Sequence, residues 1–333
     1  MTRSILSLRV AAAALLAAVS VALVSCGKRE GEPTSEKRTR IAGIVFQEDQ
    51  FFRLVQYGMA DAAGEAGVEL LVGNSGGRPD KEIQLVNTYI ARGVDAIVIS
   101  PLSKTASATA LKRARDRGVK VVTYNTTVEG DVPLSYIESS QSDLGAQTGE
   151  AARKYIEKRL GGKAKIALLA FKSQLPEQSN GRSDGFKEKV AALPGVEIVA
   201  EQDAWLPEMA VKKTGDILTA NTDVDIIWAA NEGGTVGAVM AVKNAGRAGK
   251  VVVFGTDISD QLIGFLLSEN NVLQAVTGQK PFEIGSTALR TASRAVRGQA
   301  VAPKVSMPGV LLSREDPDAV KAYRKRLGEL VSR

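Results

Sequence analysis

The body of the chain repeats one pattern: an amphipathic segment, a glycine and a short apolar run. Three copies read EAGVELLVG, ARGVDAIVIS and DRGVKVVTYN, with glycines at Gly67, Gly93 and Gly118. A glycine that follows a helix adopts the left-handed conformation at low cost. The runs that follow are rich in Val, Ile and Leu, as in strands buried on both faces. The pattern predicts stacked βαβ units with a parallel sheet.

The first amphipathic segment has apolar residues at spacings of three and four, which predicts a helix. These residues are Phe52, Val55, Met59, Ala62 and Ala66. A solenoid is the other interpretation of a period near 25 residues. The sequences between the apolar runs differ in length and character, which favours the sheet.

A second series of strand-like runs follows a break in the pattern. The runs are KIALLAF (165–171), VEIVAEQ (196–202), DIIWAA (225–230) and KVVVFG (250–255). Residues 134–145 pass from a strand into a polar stretch and a new helix, so they are the candidate crossover between two similar lobes. After Gln279 we expect a helix over about 281–298, a last strand ending in GVLLS, and a C-terminal helix that begins at Asp316 and Pro317.

The N-terminal segment has the features of an export signal. Arg3 and Arg9 precede an apolar run of 15 residues, Val10–Val24, which is shorter than the roughly 20 residues of a membrane span. The run ends in LVSC, which resembles the lipobox of bacterial lipoproteins and makes Cys26 the expected lipid attachment site. The alternative is a buried helix with a chance cysteine. We expect residues 1–25 to be a signal peptide and residues 26–39 a flexible tether, because residues 27–39 contain no aliphatic or aromatic side chain.

Composition restricts the chemistry that the chain can perform. It contains no histidine and a single cysteine. A Ser-His-Asp triad, a Cys-His pair, a His-ligated metal and a Cys-cluster zinc site are therefore excluded. Neither GGTVGA (233–238) nor GRAGKV (246–251) has the spacing of a nucleotide-binding motif, so we expect no cofactor. The formal charge of +6 is a mild excess, which gives no reason to expect nucleic-acid binding.

Polar and aromatic side chains follow the predicted strands, where ligands bind in open α/β sheets. Phe51 and Phe52 are adjacent, and successive helix residues point about 100° apart, so one ring is not needed by the core. Phe in one lobe and Trp205 in the other could hold a flat apolar face between them, with polar groups around its rim, as in sugar binding. The alternative is that the polar residues only cap helices.

Six short motifs occur in this order along the chain: FFRLVQYG, NGRSDGF, DAW, AANEGGTVGA, VVFGTD and TGQKP. Through them the chain, from Arg40 to about Ser313, resembles the periplasmic sugar-binding proteins of the ribose and galactose type, which supply ABC transporters. The resemblance implies that one Phe packs into the lobe and the other stacks on the ligand. It implies that Arg182 grips the sugar and that Trp205 is the aromatic of the second lobe. The expected ligand-binding residues are Asp49, Phe51, Phe52, Asn125, Thr126, Arg182, Trp205, Asn231, Asp257 and Gln279.

The resemblance also implies the architecture. We expect an α/β protein of two similar doubly wound parallel-sheet lobes, a periplasmic binding protein of type I, with three crossovers and a ligand cleft between the lobes. The N-terminal lobe would comprise residues 40–139 and about 280–309, and the C-terminal lobe residues 140–279 and about 310–333. The expected function is that of a lipoprotein, anchored through Cys26 in the periplasm or at the cell surface. As a monomer, it would capture a small neutral sugar or polyol for an ABC permease, without binding nucleic acid.

The chain departs from the family pattern at three places. Asp49 and Gln50 replace Asn-Pro, Asn125 and Thr126 replace the Asp-Arg of the ribose-type proteins, and Thr256 replaces an aromatic residue. The ligand is therefore not expected to be ribose.

Three alternative functions remain open from the sequence. One is an exported sensor of a small furanose-like signal. Another is a repressor core of the lactose-repressor type, although an export signal occupies the position of its DNA-binding segment. The third is an exported glycosidase that uses two of Asp49, Asp203, Glu232 and Asp257.

Overall fold

The computed structural model describes residues 38–331, which form two six-stranded sheets flanked by helices. The first sheet contains β1 (Arg40–Val45), β2 (Glu69–Asn74), β3 (Ala96–Ile99), β4 (Lys120–Tyr124), β5 (Ser135–Ser139) and β11 (Lys304–Met307). The second sheet contains β6 (Lys163–Ala170), β7 (Gly195–Asp203), β8 (Ile226–Ala229), β9 (Val252–Thr256), β10 (Leu273–Gly278) and β12 (Val310–Ser313).

Ten helices lie within the described residues. They are α1 (Gln50–Ala66), α2 (Pro79–Ala91), α3 (Ala106–Asp116), α4 (Gln141–Arg159), α5 (Pro176–Val190), α6 (Pro207–Ala220), α7 (Glu232–Asn244), α8 (Asp260–Leu267), α9 (Pro281–Val296) and α10 (Pro317–Val331). No helix in this part of the chain is long and apolar enough to cross a membrane. The signal peptide, Cys26 and most of the tether lie outside the described residues.

The two sheets have the same topology, which confirms the predicted pair of doubly wound lobes. The strand orders are β11-β5-β4-β3-β1-β2 and β12-β10-β9-β8-β6-β7. Strands β1 to β11 pair in parallel with one another within each sheet, as βαβ units require. The last strand, β12, runs antiparallel to β10. Because strand order reverses at β1 and β6, each lobe has a crevice at the carboxyl ends of its strands.

The repeated glycines end their helices as predicted. Gly67, Gly93 and Gly118 have φ angles of +67°, +68° and +83°, in the left-handed region that favours glycine. Of the strands that follow them, β3 and β4 are almost fully buried, whereas β2 lies at the sheet edge and is only partly buried, so the expected burial on both faces is wrong for β2. The core of the first lobe lies on both faces of its sheet. Phe52, Val55 and Met59 pack on one face. Leu111 and Ile97 pack on the other face.

The chain passes between the sheets three times. It leaves the first sheet after β5 and enters α4, which packs on the second sheet; it returns after β10 into α9, which packs on β3 and β4. The third passage joins β11 to β12. The first passage lies within the predicted segment 134–145. Strand β11 was not predicted, because KVSM is only partly buried and lies at a sheet edge, so its sequence carries little apolar signal.

Candidate functional site

The first-lobe wall of the cleft is built at the start of α1. Asp49 caps this helix, and its Oδ1 accepts a hydrogen bond of 3.0 Å from the Phe52 amide. The Phe52 ring is 4% exposed and belongs to the core, whereas the Phe51 ring is half-buried. The two rings meet edge to face with centroids 5.1 Å apart. The aromatic ring that the core does not need is therefore Phe51.

The second-lobe wall is organised by Arg182 on α5, which is 3% exposed. Helices α4 and α5 approach so closely that the Arg182 carbonyl occupies the space a Cβ would need at Gly145. Arg182 Nε donates to Gln141 Oε1 at 2.8 Å, and Nη1 donates to the Ala230 carbonyl at 2.8 Å. Nη1 also pairs with Asp257 Oδ1 at 3.2 Å. A buried guanidinium thus has fixed partners on three elements.

Asp257 follows β9 with a φ of +74°, which is uncommon outside glycine. Backbone strain of this kind is concentrated at functional sites. The Asp257 carboxylate accepts a hydrogen bond of 3.0 Å from the Glu232 amide as well as the contact from Arg182. Partial burial in the site raises the pKa of Glu232, the carboxylates of Asp257 and Asp49 raise it further, and a hydrogen bond with Ser259 opposes them. The Glu232 side chain remains accessible from the cleft, so water moderates the effect of desolvation.

Asn231 and Trp205 contact each other at the start of α7. Asn231 Oδ1 caps this helix by accepting from the Gly234 amide at 3.1 Å, and its Nδ2 donates to the Trp205 carbonyl at 2.8 Å. The Trp205 carbonyl also occupies the space that a Cβ would need at Gly233. The Trp205 ring packs against the core cluster that contains Phe186. Asn231 and Asp49 therefore both cap helices, as the alternative interpretation of the sequence predicted.

Four of the predicted ligand-binding residues line one cavity of about 290 Å³, the first cavity. They are Asp49 and Phe51 from the first lobe and Asp257 and Gln279 from the second. Glu232 also lines it. Gln279 Oε1 is buried and has no hydrogen-bond partner among residues 38–331, which leaves an acceptor available to a bound molecule.

Asn125 and Thr126 line a different space, the second cavity, of about 520 Å³. Gln141 contributes to the same wall. At its edge Lys104 Nζ lies 2.7 Å from both carboxylate oxygens of Glu177, so this ion pair joins the loop after β3 to α5. Six of the ten predicted residues are therefore divided between two cavities, and the other four, Phe52, Arg182, Trp205 and Asn231, line neither of them.

The side chains at positions 125 and 126 have partners within the first lobe. Thr126 Oγ1 donates to the Pro101 carbonyl at 2.7 Å and lies 3.0 Å from Ser100 Oγ. Asn125 has a left-handed φ of +59°, its carbonyl accepts from the Tyr136 hydroxyl at 2.8 Å, and its Nδ2 lies 3.4 Å from Ser100 Oγ. The Thr126 hydroxyl has therefore already used its proton.

Arg182 connects the walls of the two cavities. Its Nε bonds Gln141 of the second cavity, and its Nη1 bonds Asp257 of the first. Sequence reasoning placed Tyr323 and Leu327 only on the apolar face of the C-terminal helix, yet both line the first cavity. No local signal in the sequence identifies them. Within residues 38–331 we find no group of three or more His, Cys, Asp or Glu side chains arranged to hold a metal ion.

Comparison with known proteins agrees with this fold. Residues 44–300 match the family described as periplasmic binding protein domain. The chain belongs to this family. Family membership accounts for the two lobes, and the family consists of binding proteins.

The alignments with two relatives cover most of the chain. The ABC transporter periplasmic-binding protein YphF of Escherichia coli (strain K12) is 30% identical over 278 residues, covering 81% of this chain and 84% of the relative. The ribose import binding protein RbsB of the same strain is 29% identical over 255 residues, covering 76% of this chain and 83% of the relative. A crystal structure of an ABC transporter periplasmic solute binding protein from Actinobacillus succinogenes with bound D-allose superposes with a TM-score of 0.73. It is 25% identical and covers 85% of this chain and 100% of that protein.

Proposed function

We propose that this protein is the substrate-binding component of an ABC importer and captures a small neutral sugar or polyol in the cleft. The first cavity carries this proposal. Its volume of about 290 Å³ lies near the lower end of ligand pockets. The Phe51 ring offers an apolar face, while Asp49, Asp257 and the unpartnered Gln279 Oε1 offer acceptors for hydroxyl protons.

Support also comes from the relatives. The names of YphF and RbsB describe an ABC transporter binding protein and a ribose import binding protein, and the superposed solute binding protein holds D-allose. The first cavity of this protein offers groups suited to a ligand of the same kind, namely the Phe51 ring and the acceptors of Asp49, Asp257 and Gln279. The functional partners would be a monosaccharide or polyol and the membrane subunits of an ABC permease.

The test is a thermal-shift screen against monosaccharides and polyols, followed by calorimetric titration of each hit. A specific ligand at a hundredfold excess over its dissociation constant should stabilise the protein by about 2.7 kcal/mol. The proposal fails if no member of the panel binds. Release of monosaccharide from oligosaccharides would instead favour an exported glycosidase.

We further propose that the predicted residues of both cavities act in one binding event, because Arg182 links the walls of both cavities, while Phe52 supports the site from the core. The lobes, comprising residues 40–139 with about 280–309 and residues 140–279 with about 310–333, would close on the ligand. Small-angle scattering with and without a saturating sugar tests closure. Identical curves would contradict it.

D-ribose should not be the preferred ligand. Asn125 and Thr126 provide no charged group where ribose-type proteins have a carboxylate and a guanidinium, so they make no charge-assisted bidentate contact. The internal hydrogen bond from Thr126 to Pro101 reduces its role further. Tightest binding by ribose among a titrated monosaccharide panel would contradict this expectation.

We propose that Cys26 carries the lipid that holds an otherwise exported, monomeric protein at the membrane, since LVSC ends the apolar run. The Cys26→Ser protein should appear in the soluble fraction. Unchanged fractionation with membranes would contradict the anchor without affecting the sugar-binding proposal.

A further inference from the structure

The C-terminal helix α10 is anchored on the second lobe. Val320 and Leu327 are buried in the same core cluster as the residues of α8, with relative exposures of 0% and 7%. Arg324 pairs with Asp260 at the start of α8, at 3.7 Å. The helix also follows β12 directly and packs against it. These contacts fix α10 to the second lobe.

The same helix also reaches the first lobe. Leu54 of α1, only 5% exposed, belongs to the apolar cluster that contains Leu327. Arg326 Nη2 donates to Glu283 Oε1 of α9 at 2.6 Å. Helices α1 and α9 pack on each other and on strands of the first sheet. One short helix therefore contacts both lobes.

The first-lobe contacts are the weaker set. They comprise one buried apolar residue, Leu54, the partly buried Tyr57, also of α1, and an ion pair whose side chains are 62% and 35% exposed. An adjoining cavity of about 350 Å³, which shares Leu54 and Leu327 with the first cavity, lies between α10 and the first lobe. If the lobes separate, α10 should remain with the second lobe and release Leu54 and Glu283.

Helix α10 also forms part of the site itself. Tyr323 and Leu327 line the first cavity together with Asp49, Phe51 and Gln279. The cavity wall is therefore complete only while α10 touches the first lobe. Burial and the nearby Glu283 carboxylate raise the pKa of Tyr323 to about 12, so its hydroxyl is protonated at neutral pH and can donate a hydrogen bond.

We propose that α10 is a strap, carried by the second lobe, that holds the lobes closed over the first cavity through Leu54 and Glu283. This inference rests on the proposed function, because it assumes that the lobes close on a ligand. A ligand that binds only the closed state has an apparent affinity proportional to the closed fraction. Weakening the strap should therefore weaken binding. Because Leu54 also lines the first cavity, the scattering of the sugar-free protein is the measurement that reports on the strap itself.

The experiment compares two double variants of the full chain. Leu54→Ala with Arg326→Gln removes two of the first-lobe contacts of the strap. Val320→Ala with Arg324→Gln is the control, since it removes one apolar and one ionic contact of the same helix to the second lobe. Small-angle scattering is measured for the free proteins and with D-allose, D-ribose and myo-inositol, and calorimetry gives the affinities. Thermal melts verify that both variants fold.

Without sugar, the strap variant should have a larger radius of gyration than the control, and it should bind the sugars several-fold more weakly. The inference is overturned if the two sugar-free variants match in scattering, whatever their affinities, or if the control changes as much. If none of the three sugars binds the unmodified protein, the proposed function loses its support. The scattering comparison of the free proteins then decides the strap alone.

Discussion

The residue after the fourth strand has a left-handed backbone in both lobes, but its side chain has different partners in each. Asn125 follows β4 with a φ of +59°, and Asp257 follows β9 with a φ of +74°. Asn125 approaches a neutral hydroxyl of its own lobe, whereas Asp257 pairs with the buried Arg182. Two lobes of the same topology thus use one backbone geometry for neutral polar chemistry on one side and charged chemistry on the other.

The largest expected effect concerns the apolar support of the first lobe. Phe52→Ala should lower the free energy of unfolding by about 3–5 kcal/mol, because it removes a fully packed ring. Phe51→Ala is the matched control. It should change stability far less and weaken sugar binding by about 2- to 10-fold, as expected for a lost ring contact. Urea unfolding and calorimetry measure both; equal stability losses would contradict the division between the rings.

The charged support of the second lobe should give the next largest effect. Arg182→Ala removes the donor to the Ala230 carbonyl and leaves Asp257 with only the Glu232 amide, so stability should fall by about 2–3 kcal/mol, less than for a fully buried pair because Asp257 is 27% exposed. Sugar affinity should fall by about 10- to 150-fold if the guanidinium also contacts the ligand. Arg182→Lys should not restore it. Unchanged affinity in a folded Arg182→Ala protein would assign the residue a purely structural role.

A smaller effect tests the two left-handed positions directly. The free energy of unfolding of Asn125→Gly should lie within about 1 kcal/mol of that of the unmodified protein, because glycine adopts this backbone without a Cβ clash. Asp257→Gly should be clearly destabilised despite the same relief, because it removes the partner of Arg182. Urea unfolding of the two variants sharpens the comparison. Equal responses would show that the backbone, not the side chain, determines both positions.

The smallest effect depends on pH. The pKa of Glu232 is raised, chiefly by burial, so its neutral form is favoured in the folded protein. This contribution to stability is present below the ordinary value of 4.5 and is lost as pH rises through the raised value. The effect of Glu232→Gln on the free energy of unfolding, relative to the unmodified protein, should therefore be more favourable at pH 7 than at pH 4. Thermal melts at the two pH values measure the difference, and the opposite order would contradict the direction of the shift.

The sequence was most informative where a local rule determines the structure. The succession of a helix, a glycine and an apolar run predicted the turns at Gly67, Gly93 and Gly118 and the strands that follow them. The adjacent rings at 51 and 52 predicted one core residue and one additional ring, and Phe52 is the core residue. These features depend on a few neighbouring residues, whose spacing is visible in the chain.

Features that depend on distant segments were not predictable in the same way. The side chains of Glu232 and Tyr323 line the same cavity although they are far apart in the chain. The division of the predicted set between two cavities depends on how the lobes are placed. The internal hydrogen bond of Thr126 depends on Pro101, a residue of another loop. None of these has a signature in local spacing, since each arises from tertiary packing.

The ion pair between Lys104 and Glu177 has a consequence for the surroundings of the protein. Both side chains are more than half exposed, and they connect a loop of the first lobe to α5 of the second. Dissolved ions screen exposed charges over a Debye length of about 8 Å at physiological ionic strength. We therefore expect low ionic strength to favour the approach of the lobes and high ionic strength to oppose it. The affinity of an exported receptor of this kind would then follow the salinity of its habitat as well as the supply of its ligand.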